Sequence, residues 1–115
     1  MKSLKTFNFT PQTRDRICSN VQLFRDRRQD EADLRRAAVT LTVYKHEEEA
    51  AIIITRRSSK LRDHGGQWAL PGGRIDQGER AVQAALRELH EEINLSLDES
   101  HVVGTLDDAR TNCQP

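Results

Sequence analysis

Glu88, Glu91 and Glu92 stand at i, i+3 and i+4 in a stretch whose apolar spacing predicts a helix, so their carboxylates share one face. Like charges at that spacing repel, and a helix gains nothing from stacking them unless something positive lies among them. Three converging oxygen donors suit a hard divalent cation such as Mg²⁺ or Mn²⁺. Arg87, one turn before Glu91, is placed to hold a carboxylate through a two-pronged contact. Upstream, Pro71-Gly72-Gly73 reads as a turn, and Glu79 stands at the mouth of the helix. Singly, each residue has an ordinary explanation. A glutamate pair at a helix end is usually a solvated face, and an acid at a helix start complements the helix dipole. Their combination at fixed offsets is what points to a metal site.

Those offsets are specific. Five residues separate Gly73 from Glu79 and seven separate Glu79 from Arg87, after which Glu88, Leu89, Glu91, Glu92 and Leu95 complete the pattern. The stretch resembles the Nudix box of the Nudix hydrolases, which it matches at all eight of these positions. It departs at Asn94, where the family usually has glycine. That position follows the helix, where the backbone commonly turns left-handed, and Asn is the best non-glycine residue for it. The resemblance implies an α/β fold: an α/β/α sandwich with a mixed sheet and a second long helix on the far face. It also implies a metal-dependent enzyme that hydrolyses a diphosphate linked to a nucleoside. The metal ligands would be Glu88, Glu91, Glu92 and the Gly72 carbonyl, supported by Glu79 and Arg87. Glu88 is one candidate general base; a carboxylate beyond the box, Asp107 or Asp108, is another.

A second resemblance lies upstream. Ile53-Ile54-Thr55-Arg56-Arg57-Ser58, then Arg62, Gly66 and Leu70-Pro71-Gly72-Gly73, is similar to the extra signature of Nudix coenzyme A diphosphatases. Leu70 replaces the usual Phe, and Trp68 stands where a smaller residue is common. The similarity implies hydrolysis of coenzyme A to 3′,5′-ADP and 4′-phosphopantetheine, with Arg57 and Arg62 binding the substrate. Arg56, Arg57, Lys60 and Arg62 together suit a substrate with several phosphates, where Arg forks grip oxygen pairs. The competing readings are a diphosphatase for ADP-ribose, a dinucleotide or a nucleoside triphosphate, and a Nudix module that binds a nucleotide without turnover.

Positioning these groups falls to a short chain. With 115 residues, 36% of them hydrophobic and 31% charged, the sequence has room for one domain on the polar side of globular. Its formal charge of zero gives no overall attraction to nucleic acid or to an anionic membrane, and no apolar run reaches the length of a span. The N-terminus lacks the apolar core of a signal peptide, and Cys18 and Cys113 suggest neither a disulfide framework nor a zinc site, so a reducing cytoplasm is expected.

Residues 1–36 read as a helical extension with a charged connector, and 37–115 as the Nudix domain. In the extension, Thr10-Pro11 predicts a capped helix start, with Ile17, Val21 and Phe24 as its apolar stripe. Residues 37–45 alternate, which predicts one strand with Val39, Leu41 and Val43 on its drier face. Residues 50–55 are continuously apolar, as in a strand buried on both faces, and should pair with 37–45 as a hairpin. Residues 67–70 form a short strand leading into the glycine turn, and 101–106 look like another strand. The chain then stops before the far-face helix and later strands, so the domain is expected to be incomplete or its bare face covered by a partner such as a second copy.

Overall fold

The computed structural model describes residues 8–23, 35–56 and 66–109. Among these residues two α-helices, α1 (Pro11–Gln22) and α2 (Ala81–Ile93), accompany six short strands. These are β1 (Ala37–Val39), β2 (Val43–His46), β3 (Glu49–Ile52), β4 (Thr55–Arg56), β5 (Trp68–Ala69) and β6 (Gly72–Arg74). Among the described residues the strands pair as three antiparallel ladders, β1–β6, β2–β3 and β4–β5, with no parallel pairing. Helices and strands together keep the chain in the α/β class.

The core is small and is made by α2. Its apolar residues recur at helical spacing, and Ala84, Ala85 and Leu89 are buried. Ala84 and Ala85 meet Ala38 of β1, with Ile75 packed alongside. Three methyl groups at this contact let the helix lie close over β1 and β6.

Residues 37–45 do not form one strand. Thr40 still donates its N–H to the Pro71 carbonyl (2.8 Å), while the Thr42 carbonyl accepts from Ile53 N–H (3.1 Å). The segment changes partner between those residues, from β6 to β3, and the ladder lapses at Leu41. The first half of the segment is inverted relative to the expectation, while Val43 is part-buried beside exposed Tyr44 as expected. Ala38 is buried under α2, whereas Val39 and Leu41 are 60% and 54% exposed. Apolar bulk in the sequence suggested the drier face; the close helix contact instead selects the residue without bulk.

The run 50–55 is likewise two strands, β3 and β4, with different partners. It is not buried on both faces, since Ile52 and Ile54 are each about half exposed. The hairpin itself forms, with Val43 opposite Ile52 and His46 opposite Glu49. Its turn places Glu47 at φ 56°. Gly72 and Gly73, read as a turn, are instead part of β6, facing Val39 and Ala38. Only Pro71 bends the chain. A Cβ on Gly72 would lie 2.3 Å from the Ala38 carbonyl oxygen, so glycine is what allows β1 and β6 this approach.

Helix α1 starts as its sequence indicates. Thr10 caps it by accepting from Thr13 N–H at 3.1 Å, and Pro11 opens the first turn. Phe24 lies outside the described residues. An isolated bridge between Asn8 and Glu49 joins the chain ahead of α1 to the hairpin. The strand expected over 101–106 is not formed. Asp98 accepts from Ser100 N–H (2.9 Å) and sits against the His101 ring (3.0 Å), winding Glu99–His101 into a 3-10 turn. The backbone then runs without a ladder, and Gly104 passes so close to Val21 of α1 that a Cβ would clash with that side chain.

Helix α2 ends at Asn94, whose φ and ψ of 57° and 32° are left-handed and whose N–H donates to the His90 carbonyl at 2.8 Å. Asn94→Gly should therefore be neutral or slightly stabilising. Asn94→Val should cost on the order of 1 kcal/mol or more, because a β-branched residue resists positive φ. Denaturant unfolding of the three proteins checks this, and a Val variant as stable as the parent would contradict it.

Candidate active site

Strand β6, the loop 75–80 and helix α2 form one unit around the Arg87 guanidinium. The loop is wound by Asp76 and Gly78. Glu79 N–H donates to the Asp76 carbonyl at 3.0 Å, and Gly78 takes φ 79°. The loop then enters α2 through Arg80, whose N–H is capped by the Gln83 side chain at 2.9 Å. Arg80 also pairs with Glu99, tying the helix start to the 3-10 turn.

Arg87 is half-buried and has five N–H donors to place. Nε donates to Glu79 Oε2 at 2.9 Å and Nη2 to Glu79 Oε1 at 3.0 Å, a two-pronged grip on one carboxylate. Nη2 also donates to the Arg74 carbonyl at 3.0 Å. Nη1 donates to Glu88 Oε1 at 3.0 Å and reaches Glu91 at 3.3 Å. Asp76 adds an ion pair at 3.4 Å. Every donor has an acceptor, and the acceptors come from the strand, the loop and two turns of the helix. An ammonium group has neither the number of donors nor the planar fork for this.

Glu79 precedes the helix instead of lying in its first turn, and its side chain is only 16% exposed. Arg87 donation first, then the Asp76 N–H (3.0 Å), hold its carboxyl below the ordinary value of 4.5. Reciprocally, Glu79 first, then Glu88 and Glu91, push the Arg87 guanidinium further up its already basic range.

Glu88 lies against β6. A Cβ on Gly73 would come 2.4 Å from its carboxyl carbon, so the missing side chain at Gly73 is the space the carboxylate occupies. Glu91 is 56% exposed at the rim, and Glu92 lies exposed on the next position of the helix. The structure thus brings Glu79, Arg87, Glu88 and Glu91 together beside Gly72 and Gly73. No three acidic, His or Cys side chains among the described residues are drawn tightly enough to enclose a metal ion; Arg87 takes up Glu88 and Glu91 instead. The donor set is nevertheless all oxygen and lies on one helix face, with Glu88 seated at Gly73, a chemistry that fits a hard divalent cation.

Arg57, Lys60 and Arg62 lie outside the described residues. Asp107 and Asp108 are exposed on the segment after the 3-10 turn. Two contributors were missed in the sequence: the Asp76 carboxylate and the Arg74 carbonyl. The first had a signal, because an Asp two residues before a glycine commonly organises a loop. The second, a backbone group, had none.

A model of the NUDIX domain matches residues 33–114. That match covers well over half of the chain and includes every residue of the cluster around Arg87. The chain belongs to the Nudix family. Among its relatives, the uncharacterized Nudix hydrolase NudL of Enterobacter sp. (strain 638) is 35% identical over 95 residues, which are 82% of this chain and 50% of the relative. NudL of Cronobacter sakazakii is 35% identical over 98 residues, 84% of this chain and 51% of the relative. NudL of Yersinia enterocolitica is 44% identical over 59 residues, 50% of this chain and 30% of the relative. The chain spans about half the length of the curated relatives it matches first. Among solved structures, a Nudix hydrolase from M. Smegmatis, RenU, matches at TM-score 0.45 and 35% identity over 53% of this chain and 39% of that one.

The lowered pKa of Glu79 gives the Nudix cluster a defined pH response. A carboxyl whose folded pKa lies below its unfolded value stabilises the fold fully above the unfolded value, near 4.5. That stabilisation is lost as pH falls through the lower, folded value. In thermal melts, Glu79→Gln should lower Tm at neutral pH, and the gap to the parent should close progressively below about pH 4.5. A gap that persists unchanged in acid would remove the charge-paired role of Glu79.

Proposed function

We propose that the chain carries the catalytic machinery for hydrolysing the diphosphate linkage of a nucleoside diphosphate derivative, with coenzyme A as the favoured substrate. The observation that carries the reading is the Arg87 hub, which fixes Glu79, Glu88 and Glu91 beside the Gly72–Gly73 strand. Family membership supports the reaction class. Coenzyme A rests on the upstream signature from Ile53 to Gly73; the names of the relatives give no substrate.

Glu88, Glu91, Glu92 and the Gly72 carbonyl would hold a divalent cation, Mg²⁺ or Mn²⁺. When bound, it would neutralise charge on the diphosphate and lower the pKa of the attacking water. The chain's own groups supply the rest. Arg87 holds its carboxylates in place, and Glu79 anchors Arg87 to the loop. In the reaction a water oxygen bonds to phosphorus and the bond to the bridging oxygen breaks, giving two phosphate monoesters. The water proton passes to a carboxylate, and Glu88 is the one seated against β6.

Departures at Trp68 and Leu70 favour a second substrate, another nucleotide diphosphate such as ADP-ribose. Product analysis with Mg²⁺ across coenzyme A, ADP-ribose and nucleoside triphosphates separates the two. The expected result is 3′,5′-ADP and 4′-phosphopantetheine from coenzyme A. Preference for ADP-ribose would shift the substrate, and binding without turnover would leave a nucleotide-binding module.

Glu88→Gln should cut turnover roughly a hundredfold or more while α2 stays folded, since Glu and Gln have nearly equal helix propensity. Gly73→Ala, which pushes a methyl into the Glu88 carboxylate, should lose a similar factor through displacement alone. Circular dichroism checks the fold and initial rates check the loss; near-normal rates in either variant would detach Glu88 from the chemistry.

A further inference from the structure

Trp68 is the single tryptophan of the chain, and it is 64% exposed. It stands opposite Arg56 in the β4–β5 ladder, and the Arg56 guanidinium lies over the indole at 5.9 Å from the ring centroid. That guanidinium is tethered as well, since Arg56 Nε donates to the Gly66 carbonyl at 3.1 Å. Gly66 packs against it closely enough that a Cβ there would touch Nη2 at 3.7 Å. The pair is therefore a fixed aromatic plate with a cation over it, open to solvent. Four residues further on, Gly72 begins the strand that faces the Glu88 carboxylate. At about 3.3 Å per residue, Trp68 lies within about 13 Å of Gly72, the reach of a nucleotide from its base to its diphosphate.

We propose that Trp68 and Arg56 form the nucleobase platform of this site, the indole stacking on the base of the bound nucleotide while the Arg56 guanidinium draws its phosphate charge. The inference rests on the diphosphatase reading and adds what recognises the nucleoside end. Stacking on an exposed aromatic tolerates any base, because every base offers a π face, and a neighbouring Arg adds a cation–π contribution. Burial under an apolar protein surface, as with exposed Val39, Leu41 or Ile54, suits Trp68 poorly. It would strand the Arg56 charge without a partner, whereas a nucleotide brings its own anion.

With one tryptophan, emission reports on the platform in the unmodified protein. ADP should quench Trp68 fluorescence saturably, and ribose 5-phosphate, which has the sugar phosphate without the base, should not. Trp68→Ala should raise KM for nucleoside diphosphate substrates roughly five- to fiftyfold, and Trp68→Phe should recover most of it. If ADP leaves the emission unchanged, or ribose 5-phosphate quenches equally, the platform is refuted. Hydrolysis with unchanged emission removes the platform and keeps the diphosphatase; quenching by ADP without hydrolysis of any nucleotide does the reverse. A Trp68→Ala protein that hydrolyses with unchanged KM also overturns the proposal, and one that fails to fold leaves the emission test on the parent decisive.

Discussion

One guanidinium decides where the acidic groups of this protein can be. Asp76, Glu79, Glu88 and Glu91 would drive each other apart if left to themselves, and half of them sit in sparingly exposed positions where water helps little. Arg87 reconciles them because its five N–H groups point in different directions in one plane. Two go to Glu79, one to the backbone at Arg74, and two to Glu88 and Glu91. The same contacts fasten strand to loop and loop to helix. Site electrostatics and local fold are thus a single interaction, and Arg87 makes its contacts with β6 and the loop only while α2 keeps its register.

That register is set on the same strand-facing side of the helix by the absence of bulk. Ala38, Ala84 and Ala85 bring α2 down onto β1 and β6, and Gly72 lets the two strands close beneath it. Gly73 then leaves room for the Glu88 carboxylate at the strand surface. Larger side chains at these points would lengthen the distance between helix and strand, and the Arg87 Nη2 contact with the Arg74 carbonyl is the one that such a shift would strain first. Small residues here are positional, since they contribute little apolar area of their own.

Local rules made much of this readable. The cap at Thr10, the proline after it, the helical stripe of α2 and the left-handed Asn94 are determined by residues within a turn of each other, so the sequence displays them. The mutual placement of Arg87, Glu88 and Glu91 was readable for the same reason, because helix geometry fixes it. Failures came where a distant partner decides. Leu41 interrupts a strand because the ladder passes from β6 to β3, two segments that both follow it in the chain and belong to separate ladders. Val39 points away from α2 because the helix sits too near to admit it, which hydrophobicity alone reads backwards. Residues 101–106 have strand composition, yet Asp98 offers the backbone a local turn and no described strand competes for it.

The contacts around Arg87 are graded, and the gradient has a direction. Its grip on Glu79 is doubled, short and sheltered, with both oxygens used. Glu88 is held through one oxygen, at 3.0 Å. Glu91 is reached only at 3.3–3.4 Å and is mostly exposed. Strength therefore falls from the loop toward the rim. On the proposed reading, a cation approaching from solvent would meet the most weakly held carboxylate first, and losing that contact would still leave Arg87 doubly bound to Glu79 and bonded to the Arg74 carbonyl. The fold-keeping half of the hub and the chemically available half are separated within one side chain. A lysine at this position would have to choose between them.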